Sequence, residues 1–330
     1  MPDQRDTLAL VFSRGLVPSA GRWLFLHAAP LPDGHLREAS CEQPFRPDFL
    51  ALEAAGYDAA PAWDGPAHEG FDGAALLLGR SRRSNETNLA RAWNALRPGG
   101  TLVVAGDKTA GIAPIRKLAA SRAPVADSFA KHHATAFWME RTGEAWPVPP
   151  LETIVDGWHV AAGTFSADGP DPASLMLARH LQDRPLGHTA DLGAGWGFLA
   201  AEAAARARPA SIELFEADHR ALALAKRNLV TALPVAFHWH DVAGEPIARR
   251  FDSVVMNPPF HTGSVGAGRA AEPGLGQRFI ERASEALRPK GRLLMVANRN
   301  LPYERTLAKR FASWQELEAA NGFKVLEAIR

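Results

Sequence analysis

The 330-residue sequence predicts an α/β protein made of two tandem domains, and three observations predict it. Apolar runs of strand length alternate with alanine-rich runs of helical length along both halves. At residues 145–151 the stretch AWPVPPL puts three prolines in four positions, a stiff extended connection in which no helix persists. The boundary is expected there, giving domains 1–150 and 151–330. Finally, ALRPGGTL from Ala95 matches ALRPKGRL from Ala286 at a constant offset, and Phe71-Asp72 introduces a strand as Phe251-Asp252 does. The first half therefore looks like a copy of the second.

Composition narrows the function classes. Hydrophobic residues make up 46% and charged residues 22%, an ordinary soluble globular balance in a chain long enough for two cores. The single Cys41 excludes an internal disulfide framework and a cysteine-ligated metal, and the 12 histidines show no HExxH spacing, so no metal is expected. No apolar run has transmembrane length and MPDQRDTLAL lacks a basic-then-apolar leader, so a cytoplasmic location and no membrane are expected. Net charge is +1, with 16 Lys/Arg against 16 Asp/Glu in residues 1–150 and 21 against 20 beyond. A nucleic-acid partner must therefore be held by local patches.

In the first half, strands are expected over residues 23–27, 73–78 and 101–105. Helices are expected over 47–55 and 85–96, the latter capped by Ser84 or Asn85. No glycine-rich turn follows any of these strands, which leaves no visible place for a nucleotide. Six residues on from each Phe, Leu77-Leu78-Gly79 stands where Asn257-Pro258-Pro259 stands in the second half. GRSRRSN then places Arg80, Arg82 and Arg83 at the carboxyl edge of the sheet, where guanidinium groups can grip phosphates; a role in stability alone is the alternative. Lys131-His132-His133 is a second basic patch, or a solvated face.

The second half opens with a strand or hairpin over 154–161, a turn at Asp168-Gly169 and a helix over 172–181. Then HTADLGAGWG runs into an alanine-rich helix through Arg208, a strand, glycine turn and helix start into which a ligand can approach the backbone closely. The glycines fall at 193, 195 and 197, with Phe198 where a dinucleotide fingerprint needs its third, so pyrophosphate is disfavoured. Asp191 suits a cationic or amino-bearing ligand. The next strand ends in Glu216, about 25 positions after Asp191, in the range of a ribose-binding carboxylate. A strand over 235–240 leads to Asp241-Val242, an acceptor for an adenine amine with an apolar neighbour, or simply a turn aspartate.

FDSVVMNPPFH, from Phe251 to His261, carries the chemistry. The apolar run over 253–256 is a short buried strand, and two prolines forbid its continuation. Asn257 is left at the strand's carboxyl end, where open α/β sheets keep their chemistry. The Asn257 amide oxygen and the Pro258 carbonyl are two rigid acceptors, Pro259 fixes the backbone, and Phe260 adds a flat apolar face. That set suits a planar substrate with an NH2 group, since two acceptors turn the nitrogen lone pair out of conjugation and toward an electrophile. The alternative is that Asn-Pro-Pro merely ends a strand. At the chain's end, runs over 314–320 and 323–329 flank Asn321-Gly322, the strongest short hairpin signal.

DLGAGWG, the Glu216 strand end, HDV and NPPF, in that order, resemble the motif series of class I S-adenosylmethionine-dependent methyltransferases acting on NH2 groups. GTFSADGPDPAS, NPPFHTG and GRLLMVANRNLPYERTL extend the resemblance to the bacterial small-subunit ribosomal RNA guanine-N2 methyltransferases. It covers 151–330 strongly and the first half chiefly in SNETNLARAWNALRPGGTLVVAGDKTAGI. The resemblance implies two Rossmann-like domains. The N-terminal one would be degenerate, docking substrate or bracing; the C-terminal one would be catalytic, with an antiparallel hairpin closing a mostly parallel sheet. It implies S-adenosyl-L-methionine as cofactor, with Asp191, Gly193, Ala194 and Gly195 near its methionine part, Glu216 at its ribose, Asp241 and Val242 at its adenine, and Asn257 bordering it. Asn257, Pro258, Pro259 and Phe260 would hold the target amine, with Phe165 as a further substrate contact. Trp196 departs from the small residue usual in such motifs, and either narrows the cofactor pocket or packs on the following helix.

The expected reaction is methyl transfer to the N2 amine of a guanine in ribosomal RNA, free or within the small ribosomal subunit, by a monomer. Three readings compete: N-methylation of a protein glutamine amide, methylation of DNA adenine, and an RNA-binding protein with a dead cofactor site.

Overall fold

The computed structural model describes residues 3–65, 70–182, 184–259 and 273–330. Two compact units divide at Leu151 and Glu152.

In the first unit the strands are β1 (Trp23–Leu26), β2 (Ser40–Glu42), β3 (Ala59–Ala60), β4 (Phe71–Leu77), β5 (Leu96–Asp107), β6 (Asp127–Lys131) and β7 (Ala134–Glu140). Its helices are α1 (Gln4–Ser13), α2 (Arg46–Ala54), α3 (Arg82–Ala95) and α4 (Ile112–Ala120). The second unit begins with the hairpin β8 (Glu152–Val155) and β9 (Trp158–Ala161) and α5 (Pro172–Arg179). Then come β10 (His188–Leu192), α6 (Phe198–Arg206), β11 (Ser211–Glu216), α7 (His219–Asn228), β12 (Val235–Trp239) and β13 (Phe251–Met256). It closes with α8 (Pro273–Ala286), β14 (Leu287–Asn298), α9 (Glu304–Arg310), β15 (Ser313–Ala320) and β16 (Phe323–Ile329).

Among the described residues each unit holds one seven-stranded sheet, and the two have the same order: β3-β2-β1-β4-β5-β7-β6 and β12-β11-β10-β13-β14-β16-β15. The sixth strand of each, β7 and β16, runs antiparallel to both of its neighbours in an otherwise parallel sheet, and β15 and β16 meet across Asn321-Gly322, both with positive φ, as a type I′ hairpin requires. The α/β fold is thus the one the sequence predicts. β10, β13 and residues 293–297 of β14 are buried almost throughout, as expected where helices cover both faces of parallel strands. Leu192, Val254, Met256, Ile280, Leu293 and Leu326 form part of one core, all fully buried.

The repeat extends to side-chain detail. Both sheets carry an irregularity directly after the Phe, between Phe71 and Gly73 and between Phe251 and Ser253. The Asp that follows does the same work twice. Asp72 accepts from the Arg22 N–H at 2.8 Å and from Arg97 at 2.7 Å, while Asp252 accepts from the His188 N–H at 2.8 Å and from Arg288 at 2.6 Å.

Several local expectations change. α3 is capped by Ser81, whose hydroxyl accepts from the Ser84 N–H; Ser84 and Asn85 lie inside the helix. Asn85 is fully buried and its amide is spent on backbone, accepting from the Gly79 N–H at 2.9 Å and donating to the Gly79 and Ala110 carbonyls at 2.8 and 3.0 Å. The proline stretch is tied to α3, because Thr87 donates to the Pro149 carbonyl at 2.8 Å and Trp146 stacks on Trp93 at 4.2 Å between centroids. Of Lys131-His132-His133, Lys131 ends β6 and the two histidines, both with positive φ, form the turn of the β6–β7 hairpin. Among the described residues no helix is long and apolar enough to cross a membrane.

Candidate active site

In the second unit, parallel strands β11, β10 and β13 end side by side, so register alone gathers the predicted residues. Asp191 pairs with Leu214 on one side and Val255 on the other, which sets Glu216 and Asn257 each two residues further on at the same edge. The turn after β10 is pinned to β11, since the Gly193 and Ala194 N–H groups donate to the Phe215 carbonyl at 2.8 and 3.1 Å. Gly195 has φ +55° and open space where a Cβ would stand, so a ligand can lie directly on its backbone. Gly197 has another function: a Cβ there would meet that of Ala225 at 3.1 Å, so this glycine lets α6 and α7 approach.

Asp191 is the electrostatic anomaly. It is fully buried, and among the described residues neither carboxylate oxygen has a hydrogen-bond partner. Burial, reinforced by the charge of Glu216, pushes its pKa up to about 8, while the Ala200 N–H pulls it slightly back without reaching hydrogen-bonding geometry. Glu216 keeps some solvent contact, and burial raises it to about 7 against the opposing N–H groups of Asp218 and Gly195. Those two groups donate to its oxygens at 2.7 Å each, which fixes the carboxylate and leaves one lone pair per oxygen. Two carboxyls pushed up toward or above neutral pH, the Asp191 carboxyl wholly unpartnered, make a site that gains when a cation arrives.

Asn257 follows β13 directly, and its amide nitrogen donates to Asp171 Oδ2 and to Ser174 Oγ, both at 3.0 Å. Asn257, Asp171, Ser174, Gly193, Gly195 and Phe165 line one pocket. Phe165 is half exposed, on a loop held by Trp196, whose indole donates to the Ser166 carbonyl at 3.2 Å. Trp196 itself is buried, borders that pocket, and packs on Trp158 of β9 and edge-on against Phe198 at the start of α6. Pro258 is buried and Pro259 half-buried; Phe260 lies outside the described residues.

Other predicted residues stand apart from this pocket. Asp241 is at the same sheet edge, because the His240 N–H donates to the Glu216 carbonyl at 2.9 Å, but its Oδ1 accepts from the Ala243 N–H at 3.0 Å in a local turn. Val242 is buried and packs in the core rather than facing outward. In the first unit Arg80 follows β4 and is exposed, Arg82 in the first turn of α3 pairs with Glu86 at 2.8 Å, and Arg83 donates to the Pro150 carbonyl at 3.2 Å. Asp171 and Ser174 escaped the sequence reading. DPAS carries a helix-cap signal, but nothing in it says that the capping carboxylate also faces a residue 86 positions away.

A family model described as the methyltransferase small domain matches residues 158–327. The ribosomal RNA small subunit methyltransferase C of Idiomarina loihiensis is 28% identical over 327 residues, covering 94% of this chain and 89% of that protein. The protein of the same name from Pseudomonas aeruginosa strain LESB58 is 31% identical, covering 78% and 79%. A solved structure, the T. Thermophilus 16S rRNA N2 G1207 methyltransferase (RsmC) in complex with AdoMet and guanosine, superposes with a TM-score of 0.82 at 30% identity, covering 99% of this chain and 92% of that one.

Proposed function

The chain belongs to the methyltransferase small domain family, and within it to the ribosomal RNA small subunit methyltransferase C family; from that premise we infer that it methylates the N2 amine of a guanine in small-subunit ribosomal RNA. The observation that carries the residue roles is the buried, unpartnered Asp191 carboxylate at the end of β10, followed by a glycine turn whose open backbone face at Gly195 lines the same pocket as Asn257. S-adenosylmethionine fits this cradle: its positive charges answer two carboxyls that have no cation of their own, and when bound it supplies a methyl carbon made electrophilic by a sulfonium.

Asp191 and Gly193 to Gly195 hold the methionine part, and Glu216 offers its remaining lone pairs to the ribose hydroxyls. Asp241 and Val242 have weaker support as adenine contacts, one being engaged in its own turn and the other in the core. Asn257 accepts a hydrogen bond from the target amine, and Pro258 and Pro259 fix the backbone that presents it. The Asn257 oxygen draws one amine hydrogen into line, which turns the nitrogen lone pair away from the ring plane. Phe165 supplies an aromatic face for a base turned out of its helix. Once nitrogen is methylated it sheds a proton to water, so no side chain of shifted pKa is needed as a base.

The first unit has the same strand order but closes the corresponding edge with its own side chains. Glu42, ending β2, is buried and clamped by Arg91 at 2.6 and 2.9 Å and by the Trp63 N–H at 2.8 Å. Burial alone would raise its pKa; these donors more than offset that and hold it below the usual carboxylate range. Asn85 fills the hydrogen-bonding groups after β4, where the second unit has Asn-Pro-Pro. These features support a degenerate copy that binds no cofactor, with Arg80 exposed and Arg82, largely exposed although paired with Glu86, placed to meet phosphates. Offering labelled-methyl cofactor to ribosomal RNA, small subunits, DNA and protein, with nucleoside analysis, tests the function: label in N2-methylguanine is expected, and label in protein or adenine would refute it.

A further inference from the structure

We propose that Asp171, with Ser174 beside it, is the positioning residue that aims the amide of Asn257 at the substrate, an inference resting on the reading of Asn257 as acceptor for the target amine. An asparagine amide has two faces of nearly equal shape, and rotating it by half a turn exchanges an acceptor for two donors. For an amine substrate only one orientation works. Turned the other way, Asn257 would present N–H to N–H and repel the group it should hold.

The structure fixes the choice by chemistry. Asp171 Oδ2 stands 3.0 Å from the Asn257 nitrogen, and an ionised carboxylate only accepts, so the group facing it must be the NH2. Ser174 Oγ takes the other amide hydrogen at 3.0 Å. Both N–H groups are thus consumed inside the protein, and the carbonyl oxygen is the end that remains for the pocket. A carboxylate on the nitrogen side also draws positive charge toward itself, which makes the opposite oxygen a better acceptor.

The aiming group is rigid. Asp171 is the N-cap of α5, and the same Oδ2 accepts from the Ser174 N–H at 2.9 Å. Pro172 stiffens the first helical position, and Ala173, Met176 and Leu177 bury the helix in the second unit. One oxygen therefore couples the start of a packed helix to the end of β13, and the amide cannot turn without breaking a charge-assisted hydrogen bond.

Substitutions separate aiming from capping. Asp171→Ser keeps a good N-cap but is too short to reach Asn257. Ser174→Ala keeps the cap, which uses the Ser174 backbone, and loses only the second acceptor. Asp171→Asn keeps an oxygen where Oδ2 stands. Single-turnover methylation of ribosomal RNA is expected to fall about 10- to 100-fold in Asp171→Ser, the scale of one charge-assisted hydrogen bond, and less in Ser174→Ala. Cofactor affinity and melting temperature should stay near wild type, and Asp171→Asn should recover most of the rate. A wild-type rate in Asp171→Ser would overturn the proposal. So would a loss that appears only together with lower melting temperature or cofactor affinity, or an Asp171→Asn rate as low as that of Asp171→Ser. Asn257→Ala measured alongside keeps the two ideas apart: if it is slow while Asp171→Ser is not, the aiming fails alone, and if it turns over normally, the role of Asn257 fails first.

Discussion

Replacing Asp191 by Asn should stabilise the cofactor-free protein while weakening its hold on S-adenosylmethionine. The wild-type carboxyl is fully buried without a partner, and its pKa stands at about 8. Between an unfolded value near 3.9 and pH 7 lie roughly three units at about 1.4 kcal/mol each, so keeping this group in the fold costs at most about 4 kcal/mol at neutral pH. Asn removes that cost but leaves its own N–H groups buried and unpaired, at about 1 to 3 kcal/mol, so a net gain of about 1 to 3 kcal/mol is expected. For a unit of this size that is a rise of about 2 to 12 °C in melting temperature. The sign with pH is distinctive. An acid whose pKa is raised by folding binds more protons folded than unfolded, so wild-type stability falls as pH rises from about 4 to about 8 and then levels off. Asp191→Asn should therefore be less stable than wild type near pH 4, where the carboxyl is protonated in both states, and overtake it toward pH 8, as read by calorimetric melts without cofactor. Titration calorimetry should show cofactor binding weakened about tenfold or more. An Asp191→Asn protein destabilised equally at both pH values would refute the account of Asp191 as a carboxyl kept unpaired for a cationic ligand.

Wild-type cofactor affinity should itself rise with pH through about 7 to 8, with protons released on binding, because a cation favours the ionised forms of Asp191 and Glu216; calorimetry in buffers of different ionisation heat measures this. Glu216→Ala should lose about 1.5 to 3 kcal/mol of cofactor binding, since it removes both the ribose acceptor and the clamp on the Gly195 N–H, with little change in rate at saturating cofactor. Asn257→Ala should leave cofactor affinity nearly unchanged and lower single-turnover rate by about two to four orders of magnitude; retention of a third of the rate would rule out its role. Arg80→Glu with Arg82→Glu should raise the RNA dissociation constant and flatten its salt dependence, and a wild-type salt slope would leave the first unit as a brace.

The strand ends and the duplication are legible in the sequence because each depends on local pattern. FDSVVMNPP can only be a buried strand stopped by prolines, Asn321-Gly322 between apolar runs can only turn back, and the repeated LRPGG and LRPKG segments have the same exposure along all 12 residues of β5 and β14. The glycine spacing after β10 likewise argues against pyrophosphate before any coordinates are known. Tertiary structure alone decides what those ends touch. No local signal says that Asp191 lacks a partner or that Arg91 reaches back 49 positions to neutralise Glu42. Nor does it say that the cap of α5 holds Asn257. Each is a long-range or side-chain contact fixed by sheet register and helix packing, and a window of sequence holds only one of its two partners.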